Sequence, residues 1–223
     1  MLQATNIFKS YGDIQILKGI ELSINPGEIV SIVGASGAGK STLLHILGTL
    51  DNADQGVLTI NNTPISGLKP KQLAAFRNKE IGFVFQFHNL LPEFTLMENI
   101  CIPAYIKGTS IKEVDDYANY LMKLLGIYDR RNHKPSQLSG GEQQRTSVAR
   151  SLINKPSIIF ADEPSGNLDS TNAEQLHKLF FDLKNDLGQT FVIVTHNEEL
   201  ANMTDRKIVM ADGKITELVA QNQ

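Results

Sequence analysis

The sequence predicts an α/β fold organised around a parallel sheet, and three stretches carry that expectation. "IVSIVG", "SIIFADEP" and "TFVIVTH" read as buried strands, and the first two run into segments with helical periodicity. Strands that alternate with helices at this spacing favour parallel pairing, since a parallel neighbour is reached only through a crossover.

The elements follow in chain order. Ile20, Leu22 and Ile24 alternate with polar residues as a half-buried strand does, and "NPGE" at Asn25 to Glu28 then turns the chain. The run "IVSIVG" opens directly into "GASGAGKSTLLHILG", a glycine-rich turn followed by helix-forming residues. "GVLTINNTPI" reads as a hairpin with its turn at Asn61 and Asn62, and Pro70 suits the first position of a short helix over "PKQLAAFRN". Between Gln86 and about Gly108 the sequence is aromatic and irregular, with Pro92 and Pro103 expected to interrupt it. Ser110 with Glu113 forms a capping-box pattern ahead of Ile111, Val114, Ala118, Leu121 and Leu125 at helical spacing. Residues 88–150 are expected to form a mostly helical lobe. After "SIIFADEP", Ala173, Leu176, Leu179, Phe180, Leu183 and Leu187 mark an apolar helix face, which Gly188 stops. "KIVMADGKITEL" closes the chain as a hairpin turning at Asp212 and Gly213.

A chain of 223 residues can bury a full core, as one domain with an insertion or as two joined lobes. Its 21 Lys+Arg against 24 Asp+Glu give a net charge of −3, no general electrostatic reason to seek nucleic acid or an acidic membrane. Cys101 is the one cysteine, which excludes an internal disulfide, and without a nearby base motif it reads as a small packed side chain. Neither a secretory signal pattern nor a stretch of roughly 20 largely apolar residues is present, so a cytosolic chain is expected, reaching a membrane through a partner.

Chemistry concentrates in a few places. In "GASGAGKS", Gly34, Ala35, Ser36, Gly37, Ala38 and Gly39 are followed by Lys40, Ser41 and Thr42. The glycines allow a tight wrap that turns backbone N–H groups towards phosphate oxygens, and the helix N-terminus adds more. Lys40 supplies positive charge near the terminal phosphates, Ser41 offers a hydroxyl to Mg²⁺, and Thr42 adds a hydrogen bond to phosphate. A dinucleotide would not need that lysine and hydroxyl pair; a nucleoside triphosphate with magnesium does. Asp162 ends a buried strand where it can engage magnesium through water, and Glu163 beside it can polarise the attacking water. His196 follows the "FVIVT" strand within reach of a terminal phosphate, and Gln86, after "IGFVF", can contact magnesium or water. A satisfied loop histidine and a surface glutamine are the plainer alternatives. "LSGGEQQR", Leu138 through Arg145, reads on its own as a loop ending before a helix, because two glycines weaken any helix they enter.

Taken in order from Tyr11 to His196, these segments resemble the nucleotide-binding subunits of ATP-binding cassette transporters. The resemblance implies a P-loop NTPase cassette with a RecA-like core, an antiparallel β subdomain and a helical subdomain carrying the signature segment. It implies that Tyr11 stacks on adenine, that Gln86 couples to a partner, that Glu163 is the catalytic base and that His196 is the switch histidine. It also implies a head-to-tail dimer, in which Ser139, Gly140 and Gly141 contact the ATP held by the opposite subunit. Leu138, Glu142, Asn167, Leu168 and Asp169 would face that seam. "GFVFQFHNLLPEFTLMENICIP" and "EPSGNLD" bring the resemblance nearer to ATPases of lipoprotein-releasing complexes, with macrolide exporters and cell-division cassettes as relatives sharing the second segment. Gln143, Thr146 and Ser147 depart from the commoner pattern of that group. The expected setting is the cytoplasmic face of a bacterial inner membrane, with ATP and Mg²⁺ bound, integral permease subunits as partners and no direct nucleic acid. Phe87, Leu90, Leu91, Phe94, Leu96 and Ile100 offer more apolar surface than a connecting loop needs, and are expected to form a socket for a partner helix.

Overall fold

A computed structural model describes residues 1–220. Along the chain the elements are β1 (Leu2–Tyr11), β2 (Ile14–Ile24), β3 (Ile29–Gly34), α1 (Lys40–Leu47), β4 (Gln55–Ile60), β5 (Thr63–Pro64), α2 (Pro70–Glu80) and β6 (Ile81–Phe85). There follow α3 (Leu96–Lys107), α4 (Ile111–Leu124), α5 (Gly140–Leu152), β7 (Ile158–Asp162), α6 (Ser170–Leu187), β8 (Thr190–Val194), α7 (Glu198–Met203), β9 (Arg206–Ala211) and β10 (Lys214–Ala220). They fall into two units, Met1–Ala74 with the chain from Lys184 on, and Ala75–Leu183.

In the first unit, β3 lies between β8 and β9 and is parallel to both, while β10 returns antiparallel along β9. All five residues of β8 are buried, which is why "TFVIV" shows no polar alternation. An antiparallel sheet in the order β2-β1-β4-β5 completes this unit. Asn61 and Asn62 turn the β4–β5 hairpin with φ of 48° and 59°, the left-handed backbone that a tight hairpin demands. Strand β1 was not anticipated from the sequence. Its buried residues are Leu2 and Ala4, then Ile7 and Lys9, because the pairing slips at a bulge between Ala4 and Ile7 where Asn6 takes φ 51°. That bulge breaks the period of two by which a strand is read.

In the second unit, β6 and β7 pair in parallel, in a register that sets Phe85 opposite Asp162. The fully buried Phe160 and Phe180 come from β7 and α6. One expectation is corrected here. The segment from Gln86 to Gly108 is not irregular throughout, since α3 occupies Leu96–Lys107 and Pro103 lies inside it. The helix forms because Thr95 caps it: the Thr95 hydroxyl accepts from Glu98 N–H, and the Glu98 carboxylate accepts from Thr95 N–H at 2.7 Å. Gly108 then ends it at φ 85°. Pro103 lies within that helix, and side-chain amides from elsewhere in the unit bond its carbonyl, Asn78 Nδ2 donating at 3.1 Å and Asn154 Nδ2 at 3.2 Å. At α4 the cap is also simpler than the full box expected. Ser110 accepts from Glu113 N–H, but the Glu113 carboxylate takes the serine's own hydroxyl proton at 2.8 Å. Cys101 is fully buried, and burial pushes its thiol up to about 11, which suits packing and not nucleophilic chemistry.

Removing the α3 cap tests this account. Thr95→Ala is expected to lower stability by about 1 kcal/mol, measured by urea unfolding, without altering the slope of the transition.

Candidate functional site

The first unit holds the glycine-rich turn. Strand β3 delivers Gly34 at its C-terminal end, and α1 begins at Lys40 with Gly39 as its N-cap. Gly34 has φ 147°, and a side chain there would overlap the backbone carbonyl of Met210 on β9. The position therefore requires glycine both for conformation and for space. Lys40 Nζ donates to the carbonyls of Gly34 and Ala35, each at 2.9 Å, so the ammonium is folded back across the loop. Two of its three protons are directed at the loop, and the third is available to an anion. Ala35, Ser36, Gly37 and Ser41 are exposed, whereas Ala38 is buried and anchors the turn. The cradle fits a polyphosphate: Lys40 engages the Gly34 and Ala35 carbonyls, and the turn leads into a helix N-terminus, which favours negative charge.

Tyr11 ends β1 with its ring half exposed, and its hydroxyl donates to Asp51 Oδ2 at 2.5 Å. The same phenol oxygen meets the Thr42 hydroxyl, which ties the aromatic ring to the first turn of α1. The hydrogen bond to Asp51, assisted by desolvation, pushes the tyrosine above its ordinary range. His196 follows β8 and is exposed. It lines a cavity of about 400 Å³ together with Gly34, Glu198, Asn202 and Lys207. Structure thus brings Tyr11 to Thr42, and His196 to the start of the glycine turn.

The second unit carries the carboxylates and the signature segment. Asp162 closes β7, and Glu163 directly after it has a left-handed backbone, φ 47°. For a glutamate that conformation costs of order 1 to 3 kcal/mol and persists only where surroundings enforce it. Two contacts enforce it here: Gly166 N–H donates to the Glu163 carbonyl at 3.0 Å, and the buried Gln144 donates through Nε2 to the Pro164 carbonyl at 2.5 Å. Gln86 leaves β6 at the end shared with Asp162, but its side chain faces Asn167. Gln86 Nε2 donates to Asn167 Oδ1 at 3.0 Å, and Asn167 Nδ2 donates back to the Gln86 carbonyl at 3.1 Å. The glutamine and the segment Asn167 to Asp169 are therefore joined within one subunit.

Gly140 and Gly141 do not end a loop before a helix, as their propensity suggests; they form the first turn of α5. Ser139 is the N-cap. Its hydroxyl accepts from Glu142 N–H at 3.3 Å, and the Glu142 carboxylate accepts from Ser139 N–H at 2.8 Å. The pattern Ser-x-x-Glu is a capping box legible in the sequence, and it outweighs the cost of the glycines. Gly141 is required by space, since a side chain would overlap the Asn172 amide on α6. That amide is fixed by Asp169, whose carboxylate accepts from Asn172 N–H at 2.9 Å and from Asn172 Nδ2 at 2.7 Å. Gly140 and Ser139 are exposed, Leu138 is buried beneath them, and Leu168 approaches Gly140.

Two residues of α5 carried no sequence signal. Gln144 reaches Pro164, and Arg150 donates to the carbonyls of His88 at 2.6 Å and Asn89 at 2.7 Å, clamping a turn in which both residues have positive φ. Such contacts span up to 62 positions and leave no local pattern. Among the described residues no cluster of three or more His, Cys, Asp or Glu is placed to hold a metal ion.

The fold and motif order define a nucleotide-binding cassette, and a model of the ABC transporter family matches residues 17–166. The chain belongs to that family. It is 61% identical over 215 residues to the lipoprotein-releasing system ATP-binding protein LolD of Cytophaga hutchinsonii, covering 96% of this chain and 98% of that one. The LolD of Bacteroides thetaiotaomicron is 60% identical, with 96% and 99% covered. Among solved structures, the dimeric bacterial ABC transporter cassette MJ0796 superposes with a TM-score of 0.91 at 39% identity over the whole of both chains. A dimeric post-hydrolysis state of MJ0796 bound to ADP and Pi has the same TM-score and identity.

The cap of α5 has a testable pH dependence. The backbone N–H of Ser139 above all, with Arg130 at 2.9 Å, holds the Glu142 carboxyl below the usual glutamate range despite partial burial. A depressed carboxyl contributes stability that is fully present above the unfolded value of about 4.3 and is lost as pH falls through the folded value. The stability advantage over Glu142→Ala is expected to be constant at neutral pH and to close on acidification below about pH 4, followed by urea unfolding across pH.

Proposed function

We propose that this chain is the ATP-hydrolysing subunit of a membrane complex that releases lipoproteins from the inner membrane towards the outer membrane. The observation that carries it is the 61% identity to a protein named for that system, spanning nearly the full length of both chains. Cargo need not touch this subunit. ATP binding is proposed to close two cassettes head to tail, and hydrolysis to let them reopen; the dimeric state of MJ0796 supports that arrangement.

In this reading Tyr11 stacks on the adenine, the backbone of Gly34 to Gly39 with Lys40 and Thr42 holds the phosphates, and Glu163 accepts a proton from the attacking water. The left-handed backbone at Glu163 supports the last role, because strain of this kind is retained where a side chain must be aimed. His196 contacts the terminal phosphate. Ser41, Gln86 and Asp162 are the proposed Mg²⁺ ligands, and the ion would offset negative charge on the terminal phosphates. The exposed N-terminus of α5 at Ser139 and Gly140 supports a phosphate contact by Ser139, Gly140 and Gly141 across the dimer seam, with Leu138, Glu142 and Asn167 to Asp169 also facing it. No helix among the described residues is long and apolar enough to cross a membrane, and attachment through permease subunits is proposed. Of the expected socket, Leu96 and Ile100 are buried in the subunit's own core and Leu90 is half-buried, while Phe87, Leu91 and Phe94 are exposed and remain the proposed partner contacts.

Separate measurements of binding and chemistry test the reading. Lys40→Ala is expected to weaken ATP binding about tenfold or more by removing a charge-assisted contact. Glu163→Gln should keep ATP affinity while single-turnover hydrolysis falls by about 10²-fold or more; unchanged hydrolysis would remove Glu163 as the base. Ser139→Arg should abolish the ATP-dependent dimer that Glu163→Gln accumulates, read by light scattering. With native permease subunits, folded Phe87→Ala and Phe94→Ala are expected to bind ATP normally and lose partner-stimulated hydrolysis and lipoprotein release.

A further inference from the structure

The ring of Tyr11 is held more firmly than an exposed aromatic at a strand end needs to be. Lys9 and Tyr11 are two apart on β1 and so project to the same face. Lys9 is buried, at 8% exposure, and its Nζ lies over the Tyr11 ring, 5.1 Å from the centroid. Asp51, just after α1, receives both side chains: Tyr11 donates to Oδ2 at 2.5 Å and Lys9 to Oδ1 at 3.0 Å. Asn52 N–H adds a third bond to Oδ1 at 2.7 Å, and Lys9 also donates to the Asn52 carbonyl at 2.7 Å. Burial works against the Asp51 charge, but the bonds from Tyr11 and Lys9 outweigh it and keep the carboxyl below its ordinary range. One carboxylate therefore anchors the phenol edge, and one ammonium occupies one face of the ring. The tyrosine as a whole is still 51% exposed.

We propose that Asp51, with Lys9 as its counter-charge, is a positioning residue for the nucleobase, acting through Tyr11. Physically, an aromatic ring on a single χ1–χ2 pivot sweeps a wide arc unless its far end is tied, and every freedom frozen on binding reduces affinity. Asp51 freezes it beforehand. Because the Asp51 N–H donates to the His45 carbonyl of α1 at 3.2 Å, and Thr42 of the same helix meets the phenol oxygen, the distance from base platform to phosphate cradle is set through α1. The cation behind the ring draws electron density from it and strengthens stacking of a purine on the opposite face. The inference rests on the proposed role of Tyr11 as base platform.

Equilibrium binding of Mg-ATP and of Mg-tripolyphosphate, which has no base, to the full-length protein separates the possibilities. Tyr11→Ala is expected to weaken ATP about tenfold and to leave tripolyphosphate unchanged. Asp51→Ala should weaken ATP about three- to tenfold, again sparing tripolyphosphate, and should have no further effect when added to Tyr11→Ala. Tyr11→Phe keeps the ring, removes only the tether, and is expected to weaken ATP about threefold; it serves if Asp51→Ala does not fold. Losses shared equally by tripolyphosphate, or an Asp51 effect that persists in Tyr11→Ala, would overturn the inference. So would unchanged ATP affinity in Tyr11→Phe and Asp51→Ala while Tyr11→Ala weakens it, an outcome that leaves the platform standing. Unchanged ATP affinity in Tyr11→Ala would instead remove the platform, and the inference with it.

Discussion

Everything the first unit offers a nucleotide depends on how closely the backbone of Gly34 runs past the carbonyl of Met210. Strand β3 sits between two parallel neighbours, and its C-terminal residue has no room for a side chain. The chain turns at that point, and α1 starts six residues later, so a helix N-terminus follows the turn. Lys40 closes the turn from inside by bonding two of its carbonyls. A lysine ammonium folded across a glycine turn at a helix N-terminus favours an anion before any ligand arrives.

The second unit solves a different problem, which is to hold a strained acid in place. Glu163 lies in a backbone region that glutamate avoids, and the surrounding hydrogen bonds supply the constraint. Helix α5 is central to this. From one helix, Ser139 organises the exposed amide end, Gln144 grips the Pro164 carbonyl beside the acid, and Arg150 grips the turn after Gln86. Gln86 is bonded in turn to Asn167. A shift of α5 thus bears on Glu163, Gln86 and the segment Asn167 to Asp169 together, through contacts that are either made or broken. The exposed Phe87, Leu91 and Phe94 lie close along the chain to the turn that Arg150 holds.

The Lys9–Asp51–Tyr11 cluster shows how polar burial is used away from the reacting atoms. A lysine at 8% exposure is costly unless paired, and here its pairing orders an aromatic surface that itself stays open. Rigidity is bought at the edge of the site, where ordering a platform beforehand costs less than ordering it on binding.

The sequence by itself determined the strands at the sheet centre, the glycine turn with its lysine and hydroxyl, the acid pair after β7, and the hairpins at Asn61 and Asp212. Each is a local pattern: an apolar run, a spacing or a turn residue states its own conformation. It also held a signal that propensity obscured, because Ser139 and Glu142 cap a helix over the very glycines that argue against one. Tertiary structure alone decided the rest. Pro103 lies inside a helix that Thr95 and Gly108 cap, with Asn78 and Asn154 reaching its carbonyl from elsewhere, and β1 is a strand whose bulge hides its period. Leu96 and Ile100 belong to the core while Phe94 faces out, and Gln86 turns to Asn167. Asp51 meets Tyr11 across 40 residues of chain, a contact no window of sequence contains, because a hydrogen bond depends on separation in space and leaves no trace in spacing along the chain.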